Sequence, residues 1–216
     1  IKEQGDEDME EGWRGGMRGG QTNYALGGSL AATQATGLAQ NVSAYLQYPL
    51  LRSSVNVVDM TLGASNLELR DNTATTENPR QHNVIWGEIR GNRQSESALQ
   101  SWGLGLTAGR MRYDTQDQTA ADASGLNLQG DYQLFSLDAK HSQALGAGVD
   151  LTGSYKGQWS SKNLDTYHKM GVGGSQGVRA FALGEATGDQ AQLVRLELGY
   201  SQAIASSTHR WSAFYD

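Results

Sequence analysis

Residues 149–159 read VDLTGSYKGQW. Successive side chains of an extended strand point to opposite faces. Val149, Leu151, Gly153, Tyr155, Gly157 and Trp159 therefore share one face, and Asp150, Thr152, Ser154, Lys156 and Gln158 share the other. A strand of a water-soluble sandwich alternates too. Here, however, the polar side is charged and the apolar side ends in tyrosine and tryptophan, the arrangement of an aromatic girdle where a strand meets the lipid boundary.

The same period recurs along the chain. Val42, Ala44, Leu46 and Tyr48 alternate with Asn41, Ser43, Tyr45 and Gln47, and Val58, Met60, Leu62 and Ala64 follow a turn at Arg52-Ser53-Ser54. Trp102, Leu104, Leu106 and Ala108 run on to Arg110 and Arg112, which are expected beyond the membrane zone. Val194, Leu196, Leu198 and Tyr200 alternate with Arg195, Glu197, Gly199 and Ser201, and Trp211, Ala213 and Tyr215 with Ser212, Phe214 and Asp216. From Tyr132 to Ala139 both alternations carry apolar residues, so the inward face stays undecided there. RDNTATTENPRQ (70–81) and DTQDQTAADASG (114–125) read as polar loops, and ALGAG (144–148) as a short connection.

The pattern amounts to roughly nine strands of about ten or more residues, long enough to cross a bilayer when tilted. Strands of soluble proteins more often run to about five or six. No stretch shows a sustained helical period. The expected fold class is all-β, an antiparallel transmembrane β-barrel over 21–216, with a soluble all-β domain as the alternative. Residues 1–20, which open IKEQGDEDMEEG, read as an acidic linker or loop.

Composition narrows the function classes. The 216 residues include no cysteine, so disulfides and thiolate metal sites are excluded within them. A net charge of -6 argues against a nucleic-acid partner, which calls for a basic face. Mean hydropathy is -0.55, and no apolar run approaches the length of a transmembrane helix. That leaves membrane strands open, because their two faces average out. Twenty-eight glycines against two prolines suit long ladders that accept few prolines. The chain starts at Ile1 and stops within an apparent strand at Phe214-Tyr215-Asp216, so a piece of a longer protein is expected.

Candidate chemistry is sparse. His82, His141, His168 and His209 stand alone, without metal-ligand spacing. Glu185 and Asp189 are close enough in sequence to imagine an acid/base pair, but fit better as hydrogen-bonding residues of a long loop. The glycine-rich GVGGSQG (171–177) is followed by Val178-Arg179 and a strand, not by the Lys-Ser/Thr and helix of a phosphate loop. No catalytic, cofactor or metal residue is assigned, and no enzyme activity is expected.

The stretch GVGGSQGVRAFALGEATGDQAQLVRLEL (171–198) resembles the LGG-x-x-x-VRGF/Y motif, acidic glycine-containing stretch and RxEL strand of the two-partner secretion outer-membrane transporters, the haemolysin secretion/activation proteins of the ShlB/FhaC/HecB family. YPLLRS (48–53), GQWSSKNLD (157–165) and FYD (214–216) resemble three further motifs of that family, in the same order. The family's glycine after the arginine is Ala180 here, where a left-handed backbone would be costly.

The resemblance implies a sixteen-stranded outer-membrane barrel in a Gram-negative bacterium, preceded by periplasmic POTRA domains and in contact with outer-membrane lipid. It implies that residues 166–191 form a lumen-directed loop carrying Gly173, Gly174, Val178, Arg179, Phe181, Gly184, Glu185, Gly188 and Asp189. The arginine would pair with an acid of the inner wall. With Trp211, Ala213 and Tyr215 toward lipid, Asp216 faces the lumen, so Arg179 is expected to meet Asp216 in a bidentate pair. Asp150, Lys156, Arg195 and Glu197 are expected on the wet wall. The implied activity is secretion of a partner exoprotein, a haemolysin, adhesin or contact-dependent toxin. A barrel-assembly insertase and a general porin remain the alternatives.

Overall fold

The computed structural model describes residues 4–8, 12–25, 34–73, 75–182 and 184–216. Its strands are β1 (Gln4–Asp8), β2 (Arg14–Ala25), β3 (Thr36–Arg52), β4 (Asn56–Asn72), β5 (Glu77–Gln94), β6 (Ala98–Tyr113), β7 (Gly130–Gly146), β8 (Val149–Ser160), β9 (Met170–Gly171), β10 (Thr187–Gly188), β11 (Ala191–Ile204) and β12 (Ser207–Tyr215). Ten of them form one antiparallel sheet in the order β1-β2-β3-β4-β5-β6-β7-β8-β11-β12. β9 and β10 pair only with each other, inside the connection from β8 to β11. Nine of the ten sheet strands run from 9 residues in β12 to 18 in β5, lengths that suit a tilted crossing of a bilayer.

The registers extend a single alternation across the sheet. Leu46, Leu62, Gly87, Leu106, Phe135 and Trp159 lie side by side from β3 to β8 on one face. On the other face Asp59, Arg90, Gly103, Asp138, Lys156 and Leu193 form a row from β4 to β11. Pairing also decides the ambiguous stretch of β7. Phe135, Leu137 and Ala139 join the apolar face opposite Leu106, Leu104 and Trp102, whereas Tyr132, Leu134, Ser136 and Asp138 face the polar side.

Apolar side chains on the first face stand open, with Ile85 64% and Leu106 66% exposed. A contiguous apolar surface of this kind marks a contact with lipid or with another protein. The buried cluster of Met111, Tyr132 and Leu164 lies against the polar face, with Leu164 supplied by the β8–β11 connection. Aromatic rings also lie across opposed glycines on that face, Tyr45 over Gly16 and Trp86 over Gly63, where a Cβ would meet the ring at 2.6 and 2.5 Å.

Three expectations differ from what is found. Strand structure begins well before residue 21, with Gln4–Asp8 and Arg14–Ala25 both in the sheet, while 1–3 and 9–11 lie outside the described residues. Gly15, Gly16, Gly19 and Gly20 conceal the period of β2, because a residue without a side chain declares no face. The stretch 70–81 is mostly strand, since β4 runs to Asn72 and β5 begins at Glu77. The stretch 114–125 holds an eight-residue helix, α1 (Gln116–Ala123). Thr115 caps it by accepting from the Gln118 N–H, and the Asp122 carboxylate accepts from Leu128 and Gln129 N–H at 2.8 Å each. Two turns are too short for a helical period to show in sequence.

Short turns at 53–55, 95–97, 147–148 and 205–206 cluster at one end, and the long connections 114–129 and 161–190 lie at the other. That asymmetry is typical of outer-membrane barrels. The β7–β8 turn has positive φ at both central residues, Ala147 (50°) and Gly148 (80°), as a two-residue hairpin requires. A Cβ on Gly148 would stand 2.2 Å from the Ser201 carbonyl oxygen of β11, whose N–H donates to the Gly148 carbonyl at 2.8 Å. Gly148→Ala is therefore expected to destabilise the full-length barrel by about 1–3 kcal/mol. Ala147→Gly, which relieves a left-handed alanine, is expected to be neutral or stabilising. Urea titration monitored by heat-modifiable gel mobility measures both.

Candidate functional site

The β8–β11 connection folds back over the polar face as a finger with a root, a stem and a tip. At the root, Asp165 caps a single 3-10 turn (Thr166–His168) by accepting from the Tyr167 N–H at 2.9 Å. Two-residue pairing of β9 with β10 makes the stem. The tip is wound tightly: Val178 N–H donates to Val172 O, Gly174 N–H to Phe181 O, and Phe181 N–H to Val178 O. Glycine is required at Gly173 and Gly177, where a Cβ would stand 2.4 Å from Ala182 O and 2.3 Å from Val172 O.

Arg179 and Ala180 occupy the middle of the Val178–Phe181 turn. Neither has a positive φ; among the described residues of this segment the left-handed ones are Gly174 (89°) and Gly184 (82°). Alanine at position 180 therefore carries no left-handed strain.

The turn presents Arg179 to β11 and β12. Asp216 Oδ2 accepts from the Arg179 main-chain N–H at 3.0 Å, and Oδ1 accepts from Nη2 at 3.2 Å. The same Nη2 donates to Glu197 Oε2 at 3.1 Å. Nε lies 3.1 Å from Asp216 Oδ2 but is not aligned for a hydrogen bond. The contact thus differs from a two-pronged guanidinium fork: one prong comes from the main chain, which fixes the turn as well as the side chain. The Arg179 Cζ also stands 3.6 Å from the Phe214 ring centroid, a cation–π contact.

Further charges complete the network. Arg195 Nε donates to Asp216 Oδ1 at 3.2 Å. Arg210 grips Asp150 with both terminal nitrogens, at 2.7 and 2.9 Å. Lys156 lies on the same face, in register with Asp138 and Leu193. Among the described residues the structure thus brings together Arg179, Asp216, Glu197 and Arg195, and places Asp150 and Lys156 on the same wall.

The other loop residues act within the finger. Glu185 Oε2 accepts from the Ala182 N–H at 2.7 Å. Asp189 joins the two arms, with Oδ1 accepting from the Leu164 N–H at 2.8 Å and lying 3.6 Å from Lys169 Nζ. These two acids hold separate main-chain groups and are not arranged as an acid/base pair. Gly188 sits in the stem opposite Met170, and Phe181 is half exposed.

Sequence reasoning missed Phe214 as a ring partner, and it missed the root entirely. Arg80, read as part of a polar loop, is on β5 and donates through Nε to Asp165 Oδ2 at 2.5 Å and through Nη1 to Asp71 Oδ2 at 2.7 Å. Burial pushes the Asp165 carboxyl up, but the Arg80 guanidinium and the Tyr167 N–H outweigh it and hold the group below its usual range. Burial depresses His168, with only partial compensation from Asp165. The NLD run containing Asp165 was the only signal of this site, and it names no partner.

The comparisons with known proteins agree with this architecture. The family model described as haemolysin secretion/activation protein ShlB/FhaC/HecB matches residues 13–216. The heme/hemopexin transporter protein HuxB of Haemophilus influenzae strain 86-028NP is 24% identical over 207 residues, covering 94% of this chain and 37% of the relative. HuxB of strain KW20 is 23% identical with the same coverage. The chain thus spans little more than a third of the length of these relatives. Among solved structures, CdiB from Escherichia coli aligns with a TM-score of 0.73 at 16% identity, over 94% of this chain and 39% of that one. CdiB from Acinetobacter baumannii aligns at 0.69 and 15% identity, over 94% of this chain and 37% of that one. The fold is that of an antiparallel transmembrane β-barrel, seen here as an open ten-stranded portion, and the chain belongs to the haemolysin secretion/activation family ShlB/FhaC/HecB.

Proposed function

We propose that this chain forms part of the wall of an outer-membrane pore through which a partner exoprotein is secreted, and that the connection 161–190 is the latch of that pore. On this reading the polar face lines the lumen and the apolar face meets outer-membrane lipid. The observation that carries it is the Arg179 turn, held from both its main chain and its side chain by Asp216 on the polar wall. POTRA domains elsewhere in the full-length protein would receive the unfolded exoprotein, a haemolysin, adhesin or contact-dependent toxin.

Mixed charges from Asp150, Lys156, Arg195 and Glu197 give a wall that a polar backbone can pass without lasting adhesion. The reading requires no catalytic residue and no cofactor. Folding of the cargo outside removes extended chain from the equilibrium and draws export forward. A general porin would not need Arg179 seated in this way; a barrel-assembly insertase, which could share the loop, is set apart by the secretion assay below.

Removing one partner from a buried ion pair costs roughly 3–5 kcal/mol. Arg179, with a quarter of its side chain exposed, falls toward the lower end of that range. In cells carrying the full-length transporter, Arg179→Ala and Asp216→Ala are each expected to reduce exoprotein secretion at least tenfold at normal barrel levels. The charge exchange Arg179→Asp with Asp216→Arg is expected to recover part of it. Arg179→Lys, which keeps the charge but loses the planar fork, is expected to be intermediate. Immunoblots of medium and outer membrane measure all four; full secretion by every variant would remove the latch and favour a general pore.

A further inference from the structure

We infer that the finger is held at two separate points, and that Arg80 is the positioning residue of the second, a root clasp that stays closed while the tip moves. The inference rests on the reading of the connection as the pore latch.

The two attachments differ in kind. At the root, Arg80 and Asp165 have side chains only 8% and 5% exposed, the most enclosed ion pair among the described residues. Arg80 is braced by Asp71, which in turn accepts from Tyr24 Oη at 2.5 Å, so β2, β4 and β5 all support it. Leu164, 2% exposed, packs beside Asp165 against Met111 and Tyr132. Tyr132 Oη and His168 Nε2 are 2.9 Å apart, and the fully buried His82 ring lies 5.0 Å from that of His168. Asn163 and Lys162 add bonds to the carbonyls of Leu126 and Gln129 beyond α1.

At the tip the contacts are fewer and wetter. Arg179 and Glu197 are 25% and 30% exposed, only Asp216 at 5% is as enclosed as the root, and every Arg179 hydrogen bond to the wall measures 3.0 Å or more. Between tip and root lies a stem of only two residue pairs. On the tip side it ends at Gly171, beside which a Cβ would meet nothing within 4 Å. A pull on the tip therefore releases the Arg179 contact and bends the chain near Gly171 before it strips Asp165 from Arg80. Asp189, bonded to Leu164, keeps both arms of the finger with the root.

The test uses the full-length transporter in cells, with thiols introduced in pairs and bridged by a short bis-maleimide. With Arg80→Cys and Asp165→Cys, the unbridged pair is expected to lower secretion at least tenfold and bridging to restore most of it, because the linker replaces the clasp. With Gln176→Cys on the tip and Ser154→Cys on the wall, which line one hollow beside Arg179 and leave the Arg179–Asp216 contact in place, the unbridged pair is expected to secrete normally and bridging to stop secretion. If bridging the root leaves secretion at the unbridged level, the root must open during export and the inference is overturned. If bridging the tip leaves secretion intact, the latch reading itself fails. Should the root pair not yield folded barrel, Asp165→Asn decides the matter, since its amide oxygen can still accept from Tyr167. A tenfold loss of secretion at unchanged barrel level supports the clasp, and secretion within twofold of wild type overturns it.

Discussion

A peptide group facing hydrocarbon has no water to bond, so every N–H and C=O within the membrane band must be paired inside the protein. That constraint accounts for most of what is seen in this chain. It demands ladders without interruption, and β2 to β8 pair residue against residue over most of their lengths. It demands strands long enough to cross, and it sends the side chains of each strand alternately to lipid and to the interior. The charges of the polar face then lie where they can pair with one another, and the apolar face is left with leucine, isoleucine, valine and aromatic rings.

An interior of this kind poses a second problem, because a backbone that enters it outside the ladders must satisfy its own polar groups. The finger does so in three ways. The tip closes hydrogen bonds on itself, the stem forms a two-pair ladder, and carboxylates of the wall and of the finger accept further N–H groups. Asp216, Asp189, Asp165 and Glu185 each take at least one main-chain N–H. Four carboxylates that could suggest chemistry in a list of residues are here the acceptors that let a loop lie in an enclosed space.

How legible this was depended on where the information resides. β8 is plain in the sequence because its polar face is unbroken and Val149, Leu151, Tyr155 and Trp159 mark the other face around only two glycines. β2 is not, because glycine at four positions leaves the alternation blank, and the phase of β7 was open until its neighbours fixed it. Arg179 and Asp216, 37 positions apart, could be matched because a family resemblance supplied the fold-back and strand phase supplied the face. Arg80 and Asp165 are 85 positions apart, joined through the packing of a loop across three strands, and no local pattern encodes that. The α1 helix escaped for a simpler reason, since two turns with one cap hardly differ from a polar loop.

The central claim is that Arg179 and Asp216 form a single coupled contact that keeps the finger seated in the pore. The most direct measurement is conductance of the full-length transporter in planar bilayers, for wild type, Arg179→Ala, Asp216→Ala and the double variant. The account predicts that each single variant raises the time spent in conducting states and that the double variant falls clearly short of the sum of the two, because the side-chain bond between Arg179 and Asp216 is lost in both, while the main-chain bond is lost only with Asp216. Wild-type conductance in all three variants, or effects that simply add, would contradict it.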